Sequence, residues 1–212
     1  MIIGAGGHGR VIADLLNACC CARIKGFIDD SPKSSVIDDL PILGKIAELG
    51  RIINSLNGET SALIVGIGDN SMRNHIVSQI TSVLVRYNAR FLTVKHPSAS
   101  VSSSVSLGEG TVIIPQAAIN TNAVIGNHAI INTSSSVDHD CIIGDFAHIS
   151  PGVHLAGGVQ VGEDAHVGIG ACVLPGVQIG KWSVIGAGSV VTRDIPERVV
   201  AYGVPAKVQR VL

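Results

Sequence analysis

The side chains best suited to proton transfer in this 212-residue chain are its 8 histidines, and one of them stands in an acidic setting. His139 lies between Asp138 and Asp140 and is followed by Cys141, at the end of the run Asn132-Thr-Ser-Ser-Ser-Val-Asp-His-Asp-Cys141. An imidazole titrates near neutrality, so it accepts a proton from an attacking amine or hydroxyl at cellular pH, and an adjacent carboxylate fixes its tautomer. His139 is therefore a candidate general base, with either aspartate as its partner. The same run also fits a solvated corner without chemistry. Cys141 and Cys172 are the nucleophiles available for a covalent route. Cys19, Cys20 and Cys21 are adjacent; the 5 cysteines make neither a disulfide framework nor a CxxC metal pair, and small buried residues are the expectation for them.

A second constellation opens the chain. Ile2-Ile3 reads as a strand stub, Gly4-Ala-Gly6-Gly-His8-Gly9 has the spacing GxGxxG, and an apolar-periodic helix runs on through Val11, Leu15 and Leu16. A strand from Ile24 to Ile28 ends at Asp29-Asp30, about twenty residues past Gly9, where a ribose-binding carboxylate would stand. Another strand, Leu63 to Ile67, leads into Gly68-Asp69-Asn70-Ser71 and a helix through Arg73 and Ile76, whose N-terminus would face a phosphate. These elements form a small α/β, Rossmann-like unit. It has room for one mononucleotide-binding half rather than the two of a dinucleotide fold, so a nucleotide sugar suits it better than NAD. The glycines also fit a plain tight turn in a spacer domain.

What must position His139 is a repeat. From Val101 to Val191 every sixth residue is aliphatic without a gap, and four places after each comes a small or β-branched residue such as Ala117, Ala129, Ser135 or Ala147. Gly often follows the aliphatic residue directly, as at Gly108, Gly126, Gly144 and Gly162. A period of six fits neither a helix nor plain strand alternation; it suits a short strand plus a corner, three such units closing one triangular coil. The aliphatic residue points inward, the small residue fits beside it, and Gly is expected to supply unusual corner dihedrals. Each coil then buries its apolar face against its neighbours. His139, in the third place of its hexad, falls at a corner outside the prism. Cys141, in the fifth place, faces in; Cys172, in the sixth, has no histidine in its own hexad. His148 and His166 are one coil apart and should stack on one face, and His154 and His166 read as members of a polar ladder.

The pattern [LIV]-G-x-x-[STAV]-x resembles the hexapeptide-repeat acyltransferases, which implies a left-handed parallel β-helix for this all-β part. The ending Ala201-Tyr-Gly-Val-Pro-Ala-Lys207 is similar to the segment closing many acetyltransferases of that class, which implies acetyl-CoA as co-substrate. The Gly4 to Gly9 run, Asp29-Asp30, Gly66-Ile-Gly68-Asp-Asn and the Asn132 to Cys141 run together resemble the sialic acid O-acetyltransferase and nucleotide-amino-sugar N-acetyltransferase family (NeuD/PglD-like), over essentially the whole chain. The resemblance implies that His139 is the general base and that Asp140 tunes it. It places His148 at the acetyl-CoA thioester, Ile169, Gly186 and Ala187 along the cofactor channel, and Gly7, His8, Asp29, Asp30 and Gly68 at the nucleotide-sugar site. It further implies a homotrimer with the cofactor groove between subunits. Asp140 stands where close relatives have glutamate, so whether it or Asp138 reaches the imidazole is open.

Within this resemblance, N-acetylation of a nucleotide-linked amino sugar is favoured by the nucleotide-binding signature, and O-acetylation of a sialic acid is the alternative. A non-catalytic sugar-nucleotide scaffold is a third reading. Zinc-dependent γ-type carbonic anhydrases share such prisms and place two histidine ligands five residues apart; no histidine pair here has that spacing, so no metal is expected. Lys+Arg 15 against Asp+Glu 16 with 3% aromatic residues offers no surface for nucleic acid. The mean hydropathy of +0.44 belongs to a packed core, since Gly, Pro or a charge interrupts each apolar stretch before the roughly 18 residues of a membrane span. With no charged start followed by an apolar signal segment, a cytoplasmic location is expected. Two domains follow, residues 1–95 and 96–212, joined near His96-Pro97-Ser98.

Overall fold

The structure, a computed structural model, describes residues 1–56 and 62–212, which divide into two compact units, Met1–Val94 and Lys95–Leu212. The first runs β1 (Ile2–Ile3), α1 (Gly7–Cys19), β2 (Phe27–Ile28), β3 (Val36–Ile37), β4 (Leu40–Gly44), α2 (Leu49–Ser55), β5 (Ala62–Val65), α3 (Asn70–Arg86) and β6 (Arg90–Phe91). The sheet order is β3-β4-β2-β1-β5-β6. Its β4-β2-β1-β5-β6 part is parallel, with β3 added as an antiparallel edge. Ile2, Ile3, Phe27, Ile28, Leu63 and Ile64 fill the core between sheet and helices. The strand expected over Ile24 to Ile28 is confined to Phe27–Ile28, because its neighbour β1 offers only two residues to pair with. β5 ends before Gly66, which packs directly on Gly9 of α1; a Cβ at Gly66 would lie 2.6 Å from the Gly9 Cα. The chain passes from β1 to β2 on one side and returns to β5 on the other. The crevice at the carboxyl ends of β1 and β5 is thus the switch point where ligands of open α/β sheets bind.

In the second unit each hexad is one two-residue strand and one corner, and the strands stack in parallel across coils into three faces. The first face holds Val112–Ile113, Ile130–Ile131, His148–Ile149, His166–Val167 and Val184–Ile185, and the hairpin Val199–Gly203 with Ala206–Val211 extends it. The second holds Ser100–Val101, Ala118–Ile119, Ser136–Val137, His154–Leu155, Cys172–Val173 and Val190–Val191. The third holds Ser106–Leu107, Val124–Ile125, Ile142–Ile143, Gln160–Val161 and Gln178–Ile179. The aliphatic residue is the second of each strand and points inward: Ile113, Ile131, Ile149 and Val167 are fully buried, and the fifth-place Ala117, Ala129 and Ala147 beside them are as well.

The glycine after the aliphatic residue has a different task from the one expected of it. The left-handed corner residue stands two places further on and is often not glycine: Gln116, Asn122, His128, Ser134, Asp140, Phe146 and Asp164 all have positive φ there. Gly144 and Gly162 lack positive φ, and a Cβ on either would lie 2.6 Å from backbone nitrogen of the next coil. Glycine there lets successive coils approach. The expectation of five small buried cysteines also fails at the end of α1, where Cys20 and Cys21 are exposed and Cys19 is joined to Cys21 by a disulfide. Cys141 is fully buried and Cys172 half-buried.

Candidate active site

Every side chain of the prism inherits its direction from its place in the hexad, and His139 sits at the corner between the second and third faces. Its imidazole is exposed, and its Nδ1 lies 2.8 Å from Oδ2 of Asp140. Asp138 is turned the other way: its Oδ1 accepts from the backbone N–H of His139 at 2.8 Å and from Asn120 Nδ2 at 2.8 Å. Asp140 is thus the carboxylate that meets the ring, and Asp138 fixes the backbone beneath it. Asn122, one coil earlier, donates from Nδ2 to Asp140 Oδ1 at 3.3 Å. The hydrogen bond from Asp140, aided by the charge of Asp138, raises the His139 pKa above the ordinary imidazole value. The same bond, with that from Asn122, lowers Asp140 below the usual carboxylate range. Asn120 and Asn122 escaped sequence reasoning, although their spacing of 18 residues from Asp138 and Asp140 marks them as coil-stacked neighbours.

On the C-terminal side of His139 the same corner changes character. The next coil presents Ala156-Gly157-Gly158 and the one after it Leu174-Pro175-Gly176, so polar coils below His139 give way to glycine and apolar residues above it. Cys141 faces into the core with its thiol 3.2 Å from the Ala156 carbonyl, and desolvation by burial raises its pKa, which disfavours the thiolate. Cys172 has no histidine in its hexad, but the stacking of coils pairs it in register with His154, whose Nδ1 lies 2.8 Å from Ser136 Oγ.

The residues expected along the cofactor channel gather elsewhere on the prism. His148 lies on the first face, its Nε2 3.0 Å from Asn132 Nδ2, and its ring meets that of His166 one coil on at a centroid distance of 4.7 Å and a tilt of 44°, on one face as their spacing implied. Ile169, Gly186 and Ala187 lie at the corner between the first and second faces. Ile169 is 61% exposed, a large apolar side chain left in the open, and the neighbouring backbone at Gly170 and Gly188 has nothing within 4 Å of where a Cβ would be. An exposed aliphatic group beside bare backbone suits the chain of a pantetheine arm. Within one chain these residues and His139 occupy different corners. A cavity of about 700 Å³ along the third face, lined by Ile142, Gln160, Gln178 and Lys181 among others, includes none of the candidate catalytic, cofactor or sugar-nucleotide residues.

In the α/β unit the switch point brings Gly7, His8 and Gly68 together, with His8 Cβ 3.9 Å from the Cβ position of Gly68. α1 begins at Gly7 with no side-chain cap and no acidic residue in its first turn, so its N–H groups are open to an anion. α3 differs: Asp69 caps it, accepting from Met72 N at 2.8 Å, and a carboxylate at that end repels phosphate. Of the two helix N-termini, only that of α1 lacks a side-chain cap. Asp29 accepts from Ala5 N and Ser31 N, both at 2.8 Å, tying the β2 end to the glycine loop, and Asp30 accepts from Ile46 N at 2.8 Å. Burial lowers the His8 pKa to about 4, with the nearby Arg73 charge adding to it, so the ring beside the loop is neutral at pH 7. A cavity of about 270 Å³ lies against this loop, bounded by Gly6, Gly7, Arg10, Asp29 and Lys33 among others.

Comparison with known proteins agrees with both halves. Residues 1–80 match the family described as the PglD N-terminal domain, and residues 158–193 match the bacterial transferase hexapeptide (six repeats). The chain is 41% identical to perosamine N-acetyltransferase from Caulobacter crescentus over 99% of this chain and 95% of that one, with a TM-score of 0.91, in the structure of a histidine-to-asparagine variant in complex with CoA and GDP-perosamine. It is 35% identical to the acetyltransferase domain of PglB from Neisseria gonorrhoeae FA1090, in complex with acetyl coenzyme A, over 98% of this chain and 97% of that one, with a TM-score of 0.89. With UDP-N-acetylbacillosamine N-acetyltransferase of Bacillus subtilis (strain 168) it is 42% identical over 116 residues, 53% of this chain and 50% of that relative's length. The chain belongs to the family of hexapeptide-repeat sugar N-acetyltransferases that carry a PglD-type N-terminal domain ahead of the β-helix.

Proposed function

We propose that this protein transfers the acetyl group of acetyl-CoA to the amine of a nucleotide-linked amino sugar, with His139 as general base. The observation that carries this reading is the 2.8 Å contact of His139 Nδ1 with Asp140 at an exposed corner. An ionised carboxylate only accepts hydrogen bonds, so in the neutral ring Nδ1 holds the proton and Nε2 presents its lone pair. Nε2 takes a proton from the sugar amine as the C–N bond forms to the thioester carbonyl carbon and the C–S bond breaks, and that proton can return to the departing sulfur. Bound acetyl-CoA supplies the activated acyl group, with Ile169, Gly186, Ala187 and His148 as its seat. Gly7, His8, Asp29 and Gly68 hold the sugar nucleotide, its diphosphate on the uncapped end of α1, while Asp30 acts on the loop through Ile46 N.

The separation of His139 from the cofactor residues within one chain supports a homotrimer, in which the corner of one prism meets the neighbouring prism's groove. A trimer of this kind is cyclic and heterologous. Sedimentation should give three copies per particle; a fully active monomer at micromolar concentration would remove this arrangement. Among the described residues no helix is long and apolar enough to cross a membrane. We place the reaction in the cytoplasm. The reading as a whole is tested by thiol release from acetyl-CoA in the presence of GDP-, UDP- and dTDP-linked amino sugars. Release that depends on one of these sugars is the expected result; stabilisation by a sugar nucleotide without any release would make the chain a scaffold.

A further inference from the structure

We infer that Gly157 is a positioning residue for acetyl transfer: its bare Cα is the seat on which the His139 imidazole lies. The inference rests on the reading of His139 as the base. A Cβ built on Gly157 would fall 2.6 Å from both Cε1 and Nε2 of His139 and 3.2 Å from Nδ1, so the ring spans the face of this glycine one coil further on. No other atoms crowd that position as closely. What a side chain there would displace is the imidazole itself.

Two observations separate this role from the demands of the fold. The backbone of Gly157 is outside the left-handed region, whereas its neighbour Gly158 is at φ +71°, so Gly157 needs no glycine for conformational reasons. The corner also accepts side chains in the same place of other coils: Ser103, Thr121 and Pro175 stand in the column that contains His139 and Gly157. Glycine is required only where the imidazole rests. The backbone of His139 is pinned from the same coil, since Gly158 N donates to the His139 carbonyl at 2.9 Å. With its backbone held, the ring can yield to an added methyl group only by turning about its side-chain bonds, and that turn separates Nδ1 from Asp140. Proton acceptor and partner carboxylate are then misplaced together.

The variant Gly157→Ala should fold like the parent, with an unchanged melting temperature, because the colliding atoms belong to an exposed, movable side chain. Its kcat should fall by about 100-fold, the scale of a 1 Å misplacement of a reacting group, while KM for both substrates stays within about threefold. Side-chain NMR of His139 gives a readout independent of turnover: in Gly157→Ala the ring pKa should drop toward the ordinary imidazole value as the Asp140 contact is lost. Gly158→Ala is the comparison; it should lower the melting temperature through backbone strain and leave the His139 titration in place. Parent-like kcat and an unshifted His139 titration in Gly157→Ala, beside an inactive His139→Ala, would overturn the seat while the base stands. Full turnover by His139→Ala would instead overturn the base on which the seat depends.

Discussion

Asp140 and Asp29 look alike in sequence, each an aspartate beside a second acid or histidine in a corner after a strand, yet the two units use them differently. In the prism Asp140 meets an imidazole and is itself held by Asn122 from the coil below. In the α/β unit both oxygens of Asp29 are engaged by backbone N–H groups of two loops. The prism is a rigid stack in which the hexad decides where each side chain points, so a polar residue at a corner is free to act outward. The α/β unit has no such lattice, and its charged side chains first have to hold the loops that form the site. Chemistry on the prism should therefore be separable from stability, and binding in the α/β unit should not be.

The largest expected effect breaks the lattice itself. Ile149→Ala removes a fully buried side chain in mid-prism and should cost about 2–5 kcal/mol, read as a drop in melting temperature, while Ile142→Ala on the exposed side of the third face should cost far less. Next comes Asp29→Ala, which leaves two loop N–H groups without their acceptor. It should lower stability by about 1–3 kcal/mol and raise KM for the sugar nucleotide by about tenfold or more, with KM for acetyl-CoA unchanged. A KM effect with no stability effect would contradict the coupling proposed for that unit.

How much of this was legible varied with the kind of order in the chain. The prism could be read because a strict period fixes orientation: Cys141 inward, His139 outward and His148 over His166 all follow from place in the hexad. The neighbours of His139 were harder to see. Asn122 and Gly157 lie a full coil from Asp140 and His139, and their contacts become visible only once the three-strand closure sets the stacking distance. The glycines after the aliphatic residues were assigned to dihedral freedom because sequence shows a missing side chain but not whether backbone geometry or a close neighbour requires it. In the α/β unit the glycine turn and the acid after β2 were legible as motifs. The sequence did not reveal that Asp69 caps α3 while α1 starts without a side-chain cap.

The pH dependence sharpens the comparison on a smaller scale. The pKa of His139 is raised by Asp140, and a base acts only when unprotonated, so kcat should fall as pH drops through a value above the ordinary imidazole range of about 6.5. Asp140→Asn removes the charge that holds the proton, so this limb should move to lower pH and kcat at its plateau should fall roughly tenfold, less than removal of the base. Asn122→Ala should move the limb in the same direction by less, since it acts on Asp140 alone, with only a few-fold loss of turnover. Asp140→Asn should leave the melting temperature nearly unchanged, because the side chain is exposed and asparagine tolerates its positive φ, whereas Asn122→Ala puts alanine at a φ of +58° and should lower it slightly through backbone strain.

The central claim, that an exposed imidazole on a rigid corner performs direct transfer, is tested most directly by kcat of His139→Ala with both substrates saturating, measured with labelled acetyl-CoA. The account predicts a loss of about 10²- to 10⁴-fold with the melting temperature and acetyl-CoA binding retained, and no label on the denatured protein. Near-parental kcat at pH 7, or acetyl label remaining on Cys141 or Cys172, would contradict it.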